Sequence, residues 1–448
     1  MSTTPWGDAS DLRSRMLRPG PGHSPAAVAQ NQRERLLAAA IVAIAERGYD
    51  QTPVAELLKL SGISRTTFYQ HFPGGKEECF LATVDAALAT ALTAVEEACA
   101  GEGTWDERMV AAFDTLALTI VDQPAAARIA LVDVYSAGPA GLAHADEGLA
   151  HFAWLLTEAL GQSPERAAVP PAIVAGIAGG IRVVLETRVG AGETSTLPDL
   201  MPALRSWALA YRNPPQPIRR PRTRPPLNSV SRFVVHDQVD RIFGAVAATV
   251  AEKGYPAMTL DDIAKSAGAS LTTFYQHFDG KEQAFLAAYD SAVAQAAAAA
   301  LPPFRWSRSW PQGVRAALEA YLSFWAAEPV WARIAMVDVL TAGQPGLEHR
   351  DRSRALFEEI LQPGVDQAPE ASPLAVEAIA GAIHGLIYEQ IQRRGAEHLL
   401  QILPAVTFVA LAPFSGPAEA IAVANKGALR SSSSSPRRAS RTRGSRHG

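Results

Sequence analysis

The chain has 448 residues, a formal charge of −4, 48% apolar and 19% charged side chains, and two cysteines. That length allows two to four domains, and the composition excludes a fibrous chain or one disordered over most of its length. Cys79 and Cys99 lie too far apart in one helical pattern to bridge each other and have no metal-like spacing, so a reducing cytoplasm is expected.

Residues 1–23 are polar, rich in proline and glycine, and read as disordered. They contain no apolar h-region, and no uninterrupted run of about 18 apolar residues follows, so neither export nor a membrane span is expected. From near Ala26, Leu36, Leu37, Ala40, Ile41, Ile44 and Ala45 recur on one face of a helix that Gly48 would end. Thr52 and Pro53 open a short second helix that stops before Gly62, and Ser64 caps a third. This third helix carries Thr66-Thr67-Phe68-Tyr69-Gln70-His71-Phe72, which returns letter for letter at Thr272-Thr273-Phe274-Tyr275-Gln276-His277-Phe278. Ala45 to Tyr49 and Ala251 to Tyr255 precede the two copies at equal distance, and Ala127 to Val134 is echoed by Ala332 to Val339. An offset near 205 residues means duplication of a whole domain set, not a solenoid.

Helical periodicity continues over 76–99, 106–121, 124–136, 145–160, 170–189 and 197–211, with breaks at Gly101 to Gly103, Gly138-Pro139 and Gly190 to Gly192. The second copy starts with Thr259 and Asp262 in a capping-box arrangement, and Ser270 caps its repeated helix. Its later helices fall at about 281–299, 312–327, 329–341, 351–361, 373–394 and 397–412, giving nine per unit. Residues 213–230 form a linker rich in proline and arginine, and across it Arg212, Arg219, Arg220, Arg222, Arg224 and Arg232 follow one another with no acid between. Residues 417–448 read as a disordered tail with Arg437, Arg438, Arg441, Arg443 and Arg446, a nonspecific anion binder. The fold class is therefore all-α. Domains are expected at 24–75 and 231–280 (two-helix motifs with their leading helix) and at 76–212 and 281–416 (helical domains).

Two helices joined through a glycine turn have the spacing of a helix-turn-helix. Glu46-Arg47-Gly48-Tyr49, a short helix, then Gly62-Ile63-Ser64-Arg65 through the heptapeptide to Gly75-Lys76-Glu77-Glu78 resembles the DNA-binding domain of the tetracycline-repressor (TetR/AcrR) family of bacterial transcription regulators. Lys253-Gly254-Tyr255 through Gly268 to Gly280-Lys281-Glu282 resembles it as closely. A recognition helix buries one face, here Phe68 and Phe72 or Phe274 and Phe278, and turns the other to the major groove. That leaves Arg65, Thr66, Thr67, Tyr69, Gln70 and His71 in the first copy, and Leu271, Thr272, Thr273, Tyr275, Gln276 and His277 in the second, as candidate DNA contacts. The resemblance adds Lys76 and Lys281 at the DNA backbone.

The resemblance further implies that the later helices bind a small-molecule effector and dimerise, either between the two units of one chain or between chains. Small residues at 175–180 and 378–385 suit close helix packing. Aromatic and histidine side chains offer pocket candidates: Trp105, Phe113, Tyr135, His151 and Trp154 in unit one, Trp306, Tyr321, Phe324, Trp325 and Trp331 in unit two. Aromatics at helical spacing are also what a plain core contains, and His144 with His151 lacks a third ligand at metal spacing. No catalytic motif, cofactor or metal site is expected. The reading is a cytoplasmic regulator of double-stranded DNA, a repressor released by a small apolar or amphipathic ligand. Its alternative is a DNA-bound scaffold whose helical domains only dimerise.

Overall fold

The structure is a computed structural model that describes residues 3–8, 12–17, 22–219, 221, 237–368 and 372–426. The expectations for Arg220, for the basic residues of 222–236 and for the tail beyond 426 lie outside these. In unit one, α1 (Pro25–Arg47), α2 (Val54–Ser61) and α3 (Arg65–His71) precede α4 (Lys76–Ala100), α5 (Trp105–Asp122), α6 (Pro124–Leu131), α7 (Gly138–Gly161), α8 (Pro171–Gly190) and α9 (Leu197–Leu209). Unit two repeats this with α10 (Gln238–Lys253), α11 (Leu260–Ala267), α12 (Leu271–Tyr275), α13 (Lys281–Arg305), α14 (Trp310–Ala327) and α15 (Pro329–Met336). It closes with α16 (Gln344–Arg352), α17 (Ala355–Gln367), α18 (Leu374–Arg394) and α19 (Leu403–Ala424). Apart from one hairpin of two-residue strands, the regular structure among the described residues is helical.

Sequence chemistry sets most boundaries. Ser24, Ser64, Thr104, Thr259 and Ser270 each accept a first-turn amide with the side-chain oxygen, which satisfies an otherwise orphaned donor. The expected start of α7 at 145 is corrected to Gly138. Pro139, read as a breaker, instead opens the helix, where its missing amide costs nothing. Gly138 takes φ of +61°, and a Cβ on Gly141 would lie 1.8 Å from the Val134 carbonyl oxygen; Gly343 and Gly346 repeat both constraints in unit two. Among the described residues unit two has ten α-helices rather than the expected nine, because the counterpart of α7 divides between Arg352 and Ala355.

Two stretches expected to be disordered contain ordered parts. Thr3–Thr4 pairs with Gly7–Asp8, Leu12 is buried against Ala38 and Ala39 of α1, and the Arg13 guanidinium donates to the Lys59 carbonyl. At the other end, α19 kinks at Gly416 and runs on to Ala424. Asn425 then receives the Arg219 amide on its side-chain oxygen and donates to the Pro217 carbonyl, so the first part of the linker lies along the end of unit two. Three stretches, Lys76–Ala100, Lys281–Arg305 and Ala396–Ala424, are long and apolar enough to cross a membrane by length and composition. Single polar residues interrupt each apolar run, which is why a search for unbroken runs passes over them. Here each packs its apolar face on neighbouring helices.

The two units meet mainly through α8 and α18, with α9 lying on α18 and α19 on α8. The crossing is close because it is lined by small residues. A Cβ on Gly179 would lie 3.7 Å from the Gly385 Cα, one on Gly180 would lie 2.4 Å from the Ala378 carbonyl oxygen, and one on Gly381 would lie 2.7 Å from Val183. Polar contacts surround it. Arg188 forks onto Glu377 at 3.1 and 2.9 Å, Arg354 joins the same carboxylate at 3.0 Å, and Thr187 donates to Asp351. Tyr388 donates to Asp146 at 2.8 Å, and the buried Tyr211 hydroxyl donates to the Val409 carbonyl at 2.9 Å.

Gly180→Ala places a methyl against backbone that cannot retreat, so it should destabilise the chain by about 1–3 kcal/mol. Chemical denaturation measures this, and a midpoint equal to that of the parent chain would refute the close crossing.

Candidate nucleic-acid interface and interior cavity

Each two-helix motif is built in the same way. Gly62 and Gly268 take left-handed φ of 66° and 61°, turning the chain from α2 into α3 and from α11 into α12. Ser64 accepts the Thr67 amide at 3.1 Å and shares a 2.9 Å hydrogen bond with the Thr67 hydroxyl; Ser270 and Thr273 match both distances. Phe68, Phe72, Phe274 and Phe278 are buried, as their spacing implied. Arg35 anchors the first motif from below, its buried guanidinium donating to the Ser61 carbonyl at 2.9 Å.

Arg65, Thr66, Tyr69 and Gln70 are exposed on α3, and Leu271, Thr272, Tyr275, Gln276 and His277 are exposed on or just after α12. Both copies thus offer an open polar face opposite the buried phenylalanines. Thr67 and Thr273 are half-buried and share their hydroxyls with the capping serines, so they shape the helix start. His71 departs from the expected groove-side position. It is half-buried and meets Gln32 of α1 at 3.1 Å, and burial together with Arg33 lowers its pKa, favouring the neutral ring. The Lys76 ammonium is also engaged, donating to the Tyr49 carbonyl at 3.0 Å and sitting 4.2 Å from the Tyr49 ring centre. Lys281 repeats this with the Pro256 and Met258 carbonyls and the Tyr255 ring. These lysines tie the loop after the first helix of each motif to the start of the long helix that follows, and they remain partly exposed.

The interior differs between units. A cavity of about 100 Å³ in unit one lies among α4, α5, α6, α7 and α8. Its walls are apolar apart from Thr119, Gln123 and one strongly polar end. There the Tyr135 hydroxyl donates to Glu186 at 2.6 Å and accepts from Arg182 at 3.0 Å, and Glu186 in turn pairs with Arg350 of unit two at 2.7 Å. All four side chains are buried. Of the unit-one candidates, Tyr135 lines this cavity. Phe113 is core beside a smaller void of about 30 Å³, and Trp105 is held by a 2.8 Å bond to the Ala159 carbonyl with Arg166 over its ring. His151 and Trp154 are corrected to surface residues, Trp154 being 51% exposed, and Trp306 is 82% exposed. His144 pairs with Asp85 at 2.6 Å, a contact His349 and Asp290 repeat at 2.8 Å in unit two.

The unit-two candidates mark where space is missing. At the common offset of 205, Tyr321, Phe324, Trp325 and Trp331 occupy the positions of Leu116, Thr119, Ile120 and Ala126, all four of which line the unit-one cavity. The four aromatics are buried and fill the equivalent region, leaving about 30 Å³ beside Tyr321 and His384. Between α8 and α18 the offset falls to 202, so His384 stands where unit one has Arg182, and burial, with Arg350 and Arg182 nearby, pushes its pKa down to about 3. A search for aromatics therefore pointed to filled core. Comparing the two copies position by position would have found the cavity, because small side chains in one copy face large ones in the other.

The family model for "Bacterial regulatory proteins, tetR family" matches residues 36–83 and 242–288, which span both two-helix motifs. Each two-helix motif thus matches that family model, and the rest of the chain lies outside both matches. An uncharacterized HTH-type transcriptional regulator of Mycobacterium tuberculosis (strain CDC 1551 / Oshkosh) is 35% identical over 69 residues, 15% of this chain and 36% of that protein. A second, from strain H37Rv, has the same figures. The chain thus spans about a third of the length of these curated relatives. Among solved structures, the fatty acid degradation regulator FadR from Bacillus halodurans is 16% identical, covering 41% of this chain and 97% of its own, with a TM-score of 0.36. FadR from Bacillus subtilis in complex with stearoyl-CoA is 18% identical over 39% of this chain and 97% of its own, at 0.34. A TetR-like regulator from Rhodococcus sp. RHA1 is 20% identical over 42% and 99%, also at 0.34.

Lys76→Met removes one charged hydrogen bond and one cation–π contact. The expected loss is about 1–2 kcal/mol, read from the urea midpoint. An unchanged midpoint would show that the contact to Tyr49 does not stabilise the motif.

Proposed function

We propose that the chain is a DNA-binding transcriptional regulator whose two units pair with each other and read an operator with similar but non-identical half-sites. The observation that carries this reading is the pair of repeated motifs, each with its phenylalanines buried and its polar face open. Arg65 can donate two bonds to a guanine edge, Gln70 and Gln276 can read adenine, and the exposed tyrosines can hold phosphates. Leu271 stands at the position of Arg65 and offers apolar contact only, so the half-sites differ at one base pair.

Pairing within one chain is supported by an interface that is not self-complementary. In the repeat register, Ala145 of unit one corresponds to Arg350, Ala175 to Glu377, and Gln390 of unit two to Arg188. Two copies of unit one would place Glu186 opposite Ala145 and Arg188 opposite Ala175, so that Glu186 keeps Arg182 but loses Arg350, and Arg188 loses its carboxylate. Losing these buried and half-buried partners favours the mixed pairing. The covalent link raises the local concentration of the partner unit to roughly millimolar. From Tyr211 to Phe233 a proline-rich segment reaches about 60 Å at roughly 3.1 Å per residue, ample for this connection.

Regulation by a small apolar or amphipathic ligand, acting to release the DNA, is supported by the unit-one cavity with its single polar end, the form that small-molecule sites take. Binding that prefers one arrangement of α4 and its neighbours shifts the equilibrium between DNA-competent and incompetent forms. The family fits a non-enzymatic role.

Two measurements test the reading. Selection of bound sequences by the purified chain, with its mass determined on DNA, should give one chain per operator; two chains per operator would overturn pairing within the chain. Arg65→Ala should cost about 1–3 kcal/mol and relax preference at one base pair of one half-site, and equal relaxation in both half-sites would contradict the assignment.

A further inference from the structure

We propose that each chain carries a single effector site, in unit one, and that it takes a small, uncharged, mainly apolar molecule with one hydrogen-bond acceptor. The inference rests on the ligand-responsive reading above and goes further by assigning stoichiometry and ligand chemistry. Stoichiometry follows from steric replacement. Where unit one has Leu116, Thr119, Ile120 and Ala126 along its cavity, unit two has Tyr321, Phe324, Trp325 and Trp331, all buried. Among the described residues, the space of about 30 Å³ beside Tyr321 and His384 in unit two is too small for an organic ligand, whereas the unit-one cavity of about 100 Å³ is nearer the engineered cavity of about 150 Å³ that holds benzene. Unit two has thus filled with its own side chains the space that unit one keeps open.

Ligand chemistry follows from the polar end. Tyr135 already donates to Glu186 and accepts from Arg182, and Arg350 joins Glu186 from the other unit while also meeting Asp351 at 2.9 Å. Two guanidinium groups and two carboxylates balance, so a charged ligand would bring an uncompensated charge into a buried site. The Arg182 Nε is buried without a hydrogen-bond partner, although it lies 3.4 Å from Glu186 in poor geometry. That nitrogen has no accessible surface and faces Glu186 rather than the open space, so the donor for a ligand's carbonyl or ether oxygen is the side-chain amide of Gln123 on the cavity wall. Everything else along the wall is aliphatic, aromatic or small, with Thr119 and Gln123 as the polar exceptions.

The test uses the full chain and three molecules of similar shape: acetophenone, ethylbenzene without the acceptor, and benzoate with a charge. Isothermal titration calorimetry should give one acetophenone per chain, bound at least tenfold tighter than benzoate and severalfold tighter than ethylbenzene. Ala126→Trp, which transplants the unit-two filler, and the milder Thr119→Phe should each weaken acetophenone at least tenfold. The second variant carries the test if the first does not fold. Two acetophenones per chain, benzoate as the tightest of the three, or undiminished binding in the folded variants would overturn the single-site inference while leaving ligand response in place. Failure of all three probes to bind the folded parent chain would remove the ligand-responsive reading together with it.

Discussion

The structure depends on how closely α8 and α18 approach. Neither helix could come so near the other with a side chain at Gly180 or Gly381, since a Cβ on either would overlap atoms of the opposite helix. Close approach brings Glu186 within 2.7 Å of Arg350 and lets Arg188 fork onto Glu377. Small residues provide proximity, and the charges decide which helix is accepted as partner. A buried carboxylate tolerates few neighbours, so the interface discriminates by the cost of a wrong pairing more than by the gain of the right one.

From that crossing the remaining helices lead outward to the two motifs. α4 and α13 each begin at a lysine that holds the loop behind the preceding motif, Lys76 at Tyr49 and Lys281 at Pro256 and Met258. Any shift of these long helices is therefore felt at the start of each motif. The same long helix α4 forms one wall of the unit-one cavity, and its first residue, Lys76, holds the loop before α2, so α4 links the open interior to the two-helix motif.

Duplication has not kept the two copies equal. The recognition helices stayed nearly identical, differing at Arg65 and Leu271, while the interiors diverged, one holding a cavity and the other an aromatic cluster. A filled core stabilises a unit, and a cavity costs stability in proportion to its volume. One unit can therefore supply rigidity and the other a responsive interior, a division that two separate identical chains could not make.

The sequence by itself determined the helices, their caps, the duplication and the recognition faces, because these depend on local chemistry: serine and threonine caps, left-handed glycines, and a period of 3.6. It also carried the likeness of each two-helix motif to the tetR-family model, because that motif spans about fifty contiguous residues in each copy. What only the tertiary structure decided are features made by residues distant in sequence. His71 turns to Gln32, Lys76 to Tyr49, and Trp154 to the surface because of neighbours that no local pattern names. Pro139 opens α7 because the preceding Asp133–Ala137 turn already holds Gly138 in the left-handed region. The cavity escaped a reading that sought large aromatics, because empty space is defined by what surrounding helices fail to fill, and that depends on all of them at once.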